Sequence, residues 1–356
     1  MPRTMQRSTI YEVARRSGVS TATVSRVIHN ANGYSERTRE RVLASAAELG
    51  WLPSGPARSL ARRSTGIIGV LFADLDAGSA AEEEAPLYVD QVIRGAERAA
   101  TEAGHAVLIA ATRGPGGHEL ALSVASKVDG LVVVAHSLPE ADIAALGQRI
   151  PLVVLSDRAG RRANVDSVGV DNRAGMQALV EHLVQVHGLH DIVFVGGPYH
   201  SPDATERFAG FRAAMRAAGL PYSTKPDATG GFTIEGGARA VRELMTGRDA
   251  PQAIVCGNDQ MAIGALDVLA EMRLRVPSDI AVTGFDDVAL AQRVRSPLTT
   301  VAQPMREIGA EAIRTVLARL ADPDAQRRAA VLPIDLVVRR SCGCRATRTP
   351  ARRTTA

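Results

Sequence analysis

Seven short apolar runs, each followed by a helix-length segment, constrain this chain more than any other feature. They are GIIGVLFA, HAVLIAA, VDGLVVVA, PLVVLSD, DIVFVGG, QAIVCGND and DIAVTGFDD. Between them stand segments such as YVDQVIRGAERAATEAG and ERFAGFRAAMRAAG. A nearly continuous apolar strand is buried on both faces, as happens when helices cover both sides of a parallel sheet. The expected body is therefore α/β and doubly wound. Ligands on such sheets bind beyond the carboxyl ends of the strands. Polar residues fall there: Asp157 after VVLS, Asn258 and Asp259 after IVCG, Asp286 and Asp287 after VTGF. The alternative for these residues is strand-end capping and turn chemistry.

The first fifty residues follow a different rule. Thr9 can cap a helix from Ile10 to about Ser17, and Gly18 can end it with a positive φ. Ser20 can cap a second helix, Thr21 to about His29. Ser35 can cap a third, ERTRERVLASAAEL, ended by Gly50. Val13, Ala14, Val19, Val24 and Val27 are expected to face inward, with Val42, Leu43, Ala46 and Leu49 completing a three-helix core. Two short helices around a tight joint make the helix-turn-helix pattern, whose second helix enters the DNA major groove. The polar side of TATVSRVIHN then becomes a reading edge. Arg26 offers a guanidinium fork that matches guanine O6 and N7, worth about 1–3 kcal/mol of discrimination. Thr21 and Ala22 would lie against base edges, while Thr9, Tyr11 and Ser25 are placed for phosphates.

Charge supports this division. The chain has 356 residues and a net charge of +4, but residues 1–63 carry +7, residues 64–338 carry −9 and residues 339–356 carry +6. Genome composition explains the use of arginine, since Lys127 and Lys225 are the only lysines. It does not explain the segregation, which is the footprint of a head that meets a polyanion.

The stretch TIYEVARRSGVSTATVSRVIHN, followed by SERTRERVLASAAELGWLPSGPARSLARRSTGIIGVL, resembles the N-terminus of the lac repressor and galactose repressor family of bacterial transcription regulators. The likeness is specific over about sixty residues and continues to about residue 341. It implies a homodimer on near-palindromic double-stranded operator DNA. It also implies a hinge helix, here PSGPARSLARR, with Leu60 wedged into the minor groove beside Ala57 and Arg58. Such a segment is too short to be stable alone, so it would order only on DNA. The implied boundaries are a helix-turn-helix head over 1–53, a hinge over 54–64, a two-lobed effector and dimerisation body over 65–341, and a basic disordered tail over 342–356. His29, Trp51 and the Gly55-Pro56 pair depart from the family pattern. Ser20 and His29 join the DNA-contacting set through the same resemblance.

The family body is similar to periplasmic sugar-binding proteins, with two lobes and a cleft. The first lobe is expected over about 64–160 with a return near 290–322, the second over about 161–289 plus the strand VLPIDLVVRR. Motif by motif, Arg207 in ERFAGF matches the effector-clamping arginine. Asn258 in NDQM and Asp286 in GFDD match hydroxyl-binding positions, and Phe232 in GGFTIEGG matches a ring-stacking aromatic. Asp157, Gln303 and Tyr88 are further cleft candidates. Carboxylates and amides beside an aromatic face suit a sugar. The acidic segment DLDAGSAAEEEAPLY reads as a solvated loop at the cleft mouth.

Other classes fit less well. No GxGxxG follows a strand, there is no GxxxxGK[ST], and no strand-to-helix turn carries GxSxG, so no enzyme and no cofactor are expected. A transporter's solute-binding protein would fit the body but not the head. No run of about 18 apolar residues exists, so no membrane contact is expected. MPRTMQRST carries no apolar signal segment, which leads to the expectation of a cytoplasmic, nucleoid-associated protein. Cys256, Cys342 and Cys344 are too few for a disulfide framework. With no histidine near the CxC pair, and no ligand spacing among His105, His118 and His136, the thiols are expected to be free and no metal site is expected.

Overall fold

The computed structural model describes residues 8–28, 32–51, 64–73, 87–112, 116–134, 137–155, 165–246 and 249–344. Contacts divide the chain into two compact units, residues 1–66 and 67–356.

The N-terminal unit contains α1 (Ile10–Ser17), α2 (Thr21–Ile28) and α3 (Glu36–Glu48). Thr9 and Glu12 close a full capping box, and Gly18 ends α1 in the left-handed region at φ 67°. Ser20 accepts from the Thr23 amide at 3.2 Å, and Ser35 from that of Thr38 at 3.2 Å. Val13, Ala14, Val24, Val27, Val42 and Ala46 form the core, with Val19, Leu49 and Trp51 half-buried against it. Leu43 does not join them and is 40% exposed. It follows Val42 by one residue, about 100° around the helix, and so leaves the buried stripe.

The second unit has two lobes. The first is built from β1 (Ile67–Ala73), α4 (Leu87–Glu102), β2 (Ala106–Thr112), α5 (Gly117–Ala125), β3 (Gly130–Val134), α6 (Glu140–Gly147), β4 (Leu152–Leu155) and β5 (Asp166–Val170). The second lobe comprises α7 (Asn172–His187), β6 (Ile192–Gly196), α8 (Pro202–Ala217), β7 (Ala228–Thr229), α9 (Ile234–Thr246), β8 (Ala253–Cys256), α10 (Asp259–Glu271) and β9 (Ala281–Thr283). A 3-10 turn (Ala289–Gln292) and β10 (Thr300–Ala302) lead to α11 (Met305–Ala321) in the first lobe, then β11 (Ala329–Leu332) and β12 (Asp335–Val337).

The first sheet has the order β11-β5-β4-β3-β1-β2, and the second β7-β6-β8-β9, with every pair parallel. Period-two alternation sends successive side chains to opposite faces. Ile192 and Phe194 of β6 meet α7 and α8, while Val193 and Val195 meet α9 and α10. In the first lobe Val132 and Val134 face α4 and α11, and Leu131 and Val133 face α5 and α6.

Two expected lobe assignments change. β5 belongs to the first sheet although it lies beyond residue 160, and VLPIDLVVRR is not one strand. Its start pairs with β5 as β11, whereas β12 pairs antiparallel with β10. Pro333 separates the two pieces and has no N–H for a ladder. The chain thus passes between lobes three times: before Asn172, around Gln303–Pro304, and around Pro333. The ordered body also continues past residue 341. Cys342, placed in a tail by sequence, is 3% exposed because it packs among the core side chains beneath α7.

Candidate functional site

On α2 the inward residues are Val24 and Val27, so the opposite side carries Ala22, Ser25 and Arg26, with Thr21 at its flank. Ala22 and Arg26 are exposed and one turn apart, with Arg26 Nε donating to the Ala22 carbonyl at 3.4 Å. Tyr11 is 74% exposed. Thr9 and Ser20 are exposed, and their hydroxyls also serve as helix caps. His29, Ala57, Arg58, Leu60 and the hinge helix lie outside the described residues, as do Asp157, most of the acidic loop and the tail beyond Cys344.

In the second lobe, five expected effector residues converge at the carboxyl ends of β6 and β8. That is the point where the strand order reverses and where doubly wound sheets bind ligands. Arg207, on α8, is 3% exposed. Its Nη1 donates to the Gly257 carbonyl at 2.7 Å and lies 3.2 Å from Asp286 Oδ1. Its Nε donates to Asn172 Oδ1 at 2.8 Å. The guanidinium stacks 3.9 Å from the Phe285 ring centre and 5.7 Å from that of Phe232. Gln303 Nε2 donates to the same Asp286 Oδ1 at 2.6 Å. Burial pushes the Asp286 carboxyl up to about 6, against the pull of Arg207 and Gln303.

Asp286 and Phe232 hold positive φ values of 120° and 71°. Neither is glycine, so both backbones are held where side chains are costly, as happens around binding sites. Asn258 caps α10 through Met261 N (2.9 Å) and donates to the Phe232 carbonyl at 3.1 Å. Its amide thereby fixes the Phe232 turn, so the capping alternative describes much of what it does. Asp287 pairs with Arg339 at 2.6 Å, in keeping with a turn role. Asp259 is fully buried, accepting from Thr300 Oγ1 (2.6 Å) and Val288 N (2.9 Å). Burial first, and then the Asp286 charge, raise its carboxyl well above the usual range. Tyr88, on α4, packs against the first lobe's core.

One member of the cluster, Asn172, is not singled out by the sequence. Asn172 opens α7 directly after β5, and its Nδ2 donates to Asp203 Oδ1 at 2.7 Å. The strand signal in DSVGV is weak, because the run is short and contains glycine and aspartate, which strands disfavour. A second omission concerns the cysteines. The fold brings His182 to 3.6 Å from both Cys342 and Cys344, and His187 to 3.3 Å from Cys344. The expectation of no metal site rested on distance along the chain, which α7 and the C-terminal turn bypass.

Residues 9–54 match the bacterial regulatory proteins of the lacI family, and residues 180–342 match a periplasmic binding protein-like domain. The ribose operon repressor of Escherichia coli K12 is 34% identical over 328 residues, covering 90% of this chain and 96% of the relative. The chain belongs to the lacI family. A lacI-family chain is a DNA-binding transcription regulator, and the body described above is its ligand-sensing part. The E. coli transcriptional repressor CytR is 30% identical, over 94% of this chain and 96% of its own. The lac repressor dimer bound to operator and the anti-inducer ONPF superposes with a TM-score of 0.80 at 29% identity, covering 95% of this chain and 99% of that one. A CelR–cellobiose complex gives 0.70 at 30% identity, over 94% and 100%. These relatives are transcriptional regulators rather than enzymes. Among the described residues no helix is long and apolar enough to cross a membrane.

Proposed function

We propose that this lacI-family chain binds operator DNA as a homodimer, represses the genes beside it, and is controlled by a sugar held between the lobes. The observation that carries the reading is the reach of Arg207. Through Asn172 it touches the first passage between lobes, and through Asp286 and Gln303 it touches the second. A ligand that re-bonds Arg207 or Asp286 therefore acts on the segments about which the lobes move. To take a population from 1:99 to 99:1, it must favour one lobe arrangement by about 5.5 kcal/mol.

The sugar assignment rests on a carboxylate, an amide and a guanidinium beside the Phe232 ring. Such a set suits hydroxyls on one side and a C–H face on the other. The CelR neighbour was solved with cellobiose, and the E. coli relative is named for ribose. Arg207, Asp286, Gln303, Phe232 and Asn258 are assigned to effector binding, and so are Tyr88 and Asp157. Thr9, Tyr11, Ser20, Thr21, Ala22, Ser25, Arg26 and His29 are assigned to the major groove and its phosphates, and Ala57, Arg58 and Leu60 to the minor groove. The head is taken as residues 1–53, the hinge as 54–64 and the sensor as 65 to about 344, followed by a basic tail. Its site of action is the nucleoid, in the cytoplasm. For dimerisation, the edge strand β2 and helix α5 offer Ile109 and Leu122, 45% and 38% exposed.

A thermal-shift screen of the full chain against mono- and disaccharides, with nucleosides and nucleobases beside them, followed by operator gel shifts with each hit, tests the reading. A sugar that raises the melting temperature and changes operator affinity supports it. Hits confined to a different ligand class would remove the sugar assignment.

A further inference from the structure

Helix α7 opens at Asn172, in the ion-pair cluster, and ends about 22 Å away at His187. There it meets a second constellation of side chains. His182 and His187 project from α7, while Cys342 and Cys344 flank Gly343 in the turn after β12. One donor atom from each of the four lies within 4.8 Å of the other three. Cys342 Sγ is 3.6 Å from His182 Nε2; Cys344 Sγ is 3.6 Å from the same nitrogen and 3.3 Å from His187 Nε2. A tetrahedral ion with bonds of about 2.3 Å to sulfur and about 2.0–2.1 Å to nitrogen has S···N edges of about 3.5 Å. The three measured edges match that figure.

The surrounding chain holds this geometry in place. Ser341 is fully buried, accepting from Thr299 N at 2.8 Å through its hydroxyl and from Val282 N at 3.0 Å through its carbonyl. Thr299 Oγ1 donates to Cys342 Sγ at 3.1 Å. Gly343 adopts φ 108°, where only glycine is comfortable, and an added Cβ would stand 3.3 Å from His187 Nδ1. The glycine thus lets the two thiols and the imidazole approach together. The rings of His182 and His187 meet edge to face at 76°, and each Nε2 is the nitrogen that faces a sulfur.

We propose that His182, His187, Cys342 and Cys344 form a metal site for a thiophilic divalent ion of the zinc class. Two thiolates and two imidazoles in tetrahedral reach are a closed set, with no position left for a substrate, so the ion is structural. It joins the C-terminal turn to the far end of the helix that presents Asn172, and it fixes the segment that precedes the basic tail. Because a preformed metal site is absent from the unfolded chain, binding contributes to folding stability.

The test uses the untagged full chain, purified with zinc and a thiol reductant and then dialysed exhaustively. Elemental analysis is expected to find one zinc per chain. Cobalt exchanged for zinc is expected to give tetrahedral ligand-field bands with thiolate-to-metal charge transfer. Chelation is expected to lower the melting temperature by several degrees, and zinc to restore it. The variants C344S and H187N change half-exposed positions and are expected to lose the ion while keeping the far-UV circular dichroism of the parent. Three outcomes would each overturn the site: a dialysed chain without metal, a cobalt spectrum lacking thiolate charge transfer, or full stoichiometry in the C344S/H187N double variant.

Discussion

Arg207 and Asp286 form an ion pair at 3.2 Å while each is 3% exposed. Burying two charges costs several kcal/mol per ion, repaid only when further bonds satisfy them. Here Asn172, Gly257 and Gln303 supply those bonds. Placing so expensive a pair at the proposed effector site makes sense if a ligand can compete for its partners.

Arg207→Met leaves Asp286 buried without its cation. A lost partner of this kind costs about 3–5 kcal/mol at most. Asp286 can escape by taking a proton, which its value of about 6 already makes easy. The destabilisation should therefore be larger at pH 8 than at pH 5, when read from urea unfolding. Operator binding without effector should persist, and the effector response should be blunted. A variant with the parent's response in a fluorescence titration would take Arg207 out of the site.

The pH dependence of the parent follows from the same group. Its folded value is raised above that of the unfolded chain, so the folded state holds the proton more tightly. Its contribution is fully present below about pH 4, is lost as pH rises to about 6, and is flat above that. Asp286→Asn removes this downward slope, and it also relieves the Asp259 carboxyl, which the Asp286 charge pushes up. Unfolding free energies from pH 4 to pH 7 should fall less, or rise more, in the variant. Identical slopes would contradict the assignment.

Most of this arrangement was legible in the sequence because local rules agree with the fold. All seven apolar runs became strands, and Thr9, Ser20 and Ser35 cap the helices that their positions suggested. What escaped was non-local. β5 reads as a polar-started, glycine-bearing pentapeptide, and only its place between β4 and β11 makes it a strand. Asn172 was lost with it. The histidine–cysteine cluster unites a helix and a turn that stand far apart in sequence, and no spacing rule spans such a distance. Leu43 shows the converse: an apolar residue assigned to a core that its helical phase does not reach.

Gln303 tests whether the passage between lobes is coupled to the ion pair. Its bond to the Asp286 carboxylate is charge-assisted, a class worth about 1.5–3 kcal/mol. Gln303→Ala should weaken effector binding by about tenfold or more, with little change in effector-free operator affinity. Calorimetry and gel shifts measure the two separately. Equal losses in both would indicate a general folding defect instead.

The last prediction concerns the reading edge. Arg26 is exposed on the side of α2 opposite Val24 and Val27, one turn from Ala22. Its fork would discriminate guanine by about 1–3 kcal/mol. Phosphate contacts from the rest of the head carry no sequence information but supply salt-sensitive affinity. Arg26→Ala should therefore erase the preference for guanine at one position of each half-site, while weak binding that declines steeply with salt remains. A gel-shift series over all four bases at each half-site position reads this directly. Unchanged preference everywhere would place the specificity on other residues of α2, and loss of all binding even at low salt would mean that Arg26 holds the head together rather than reads a base.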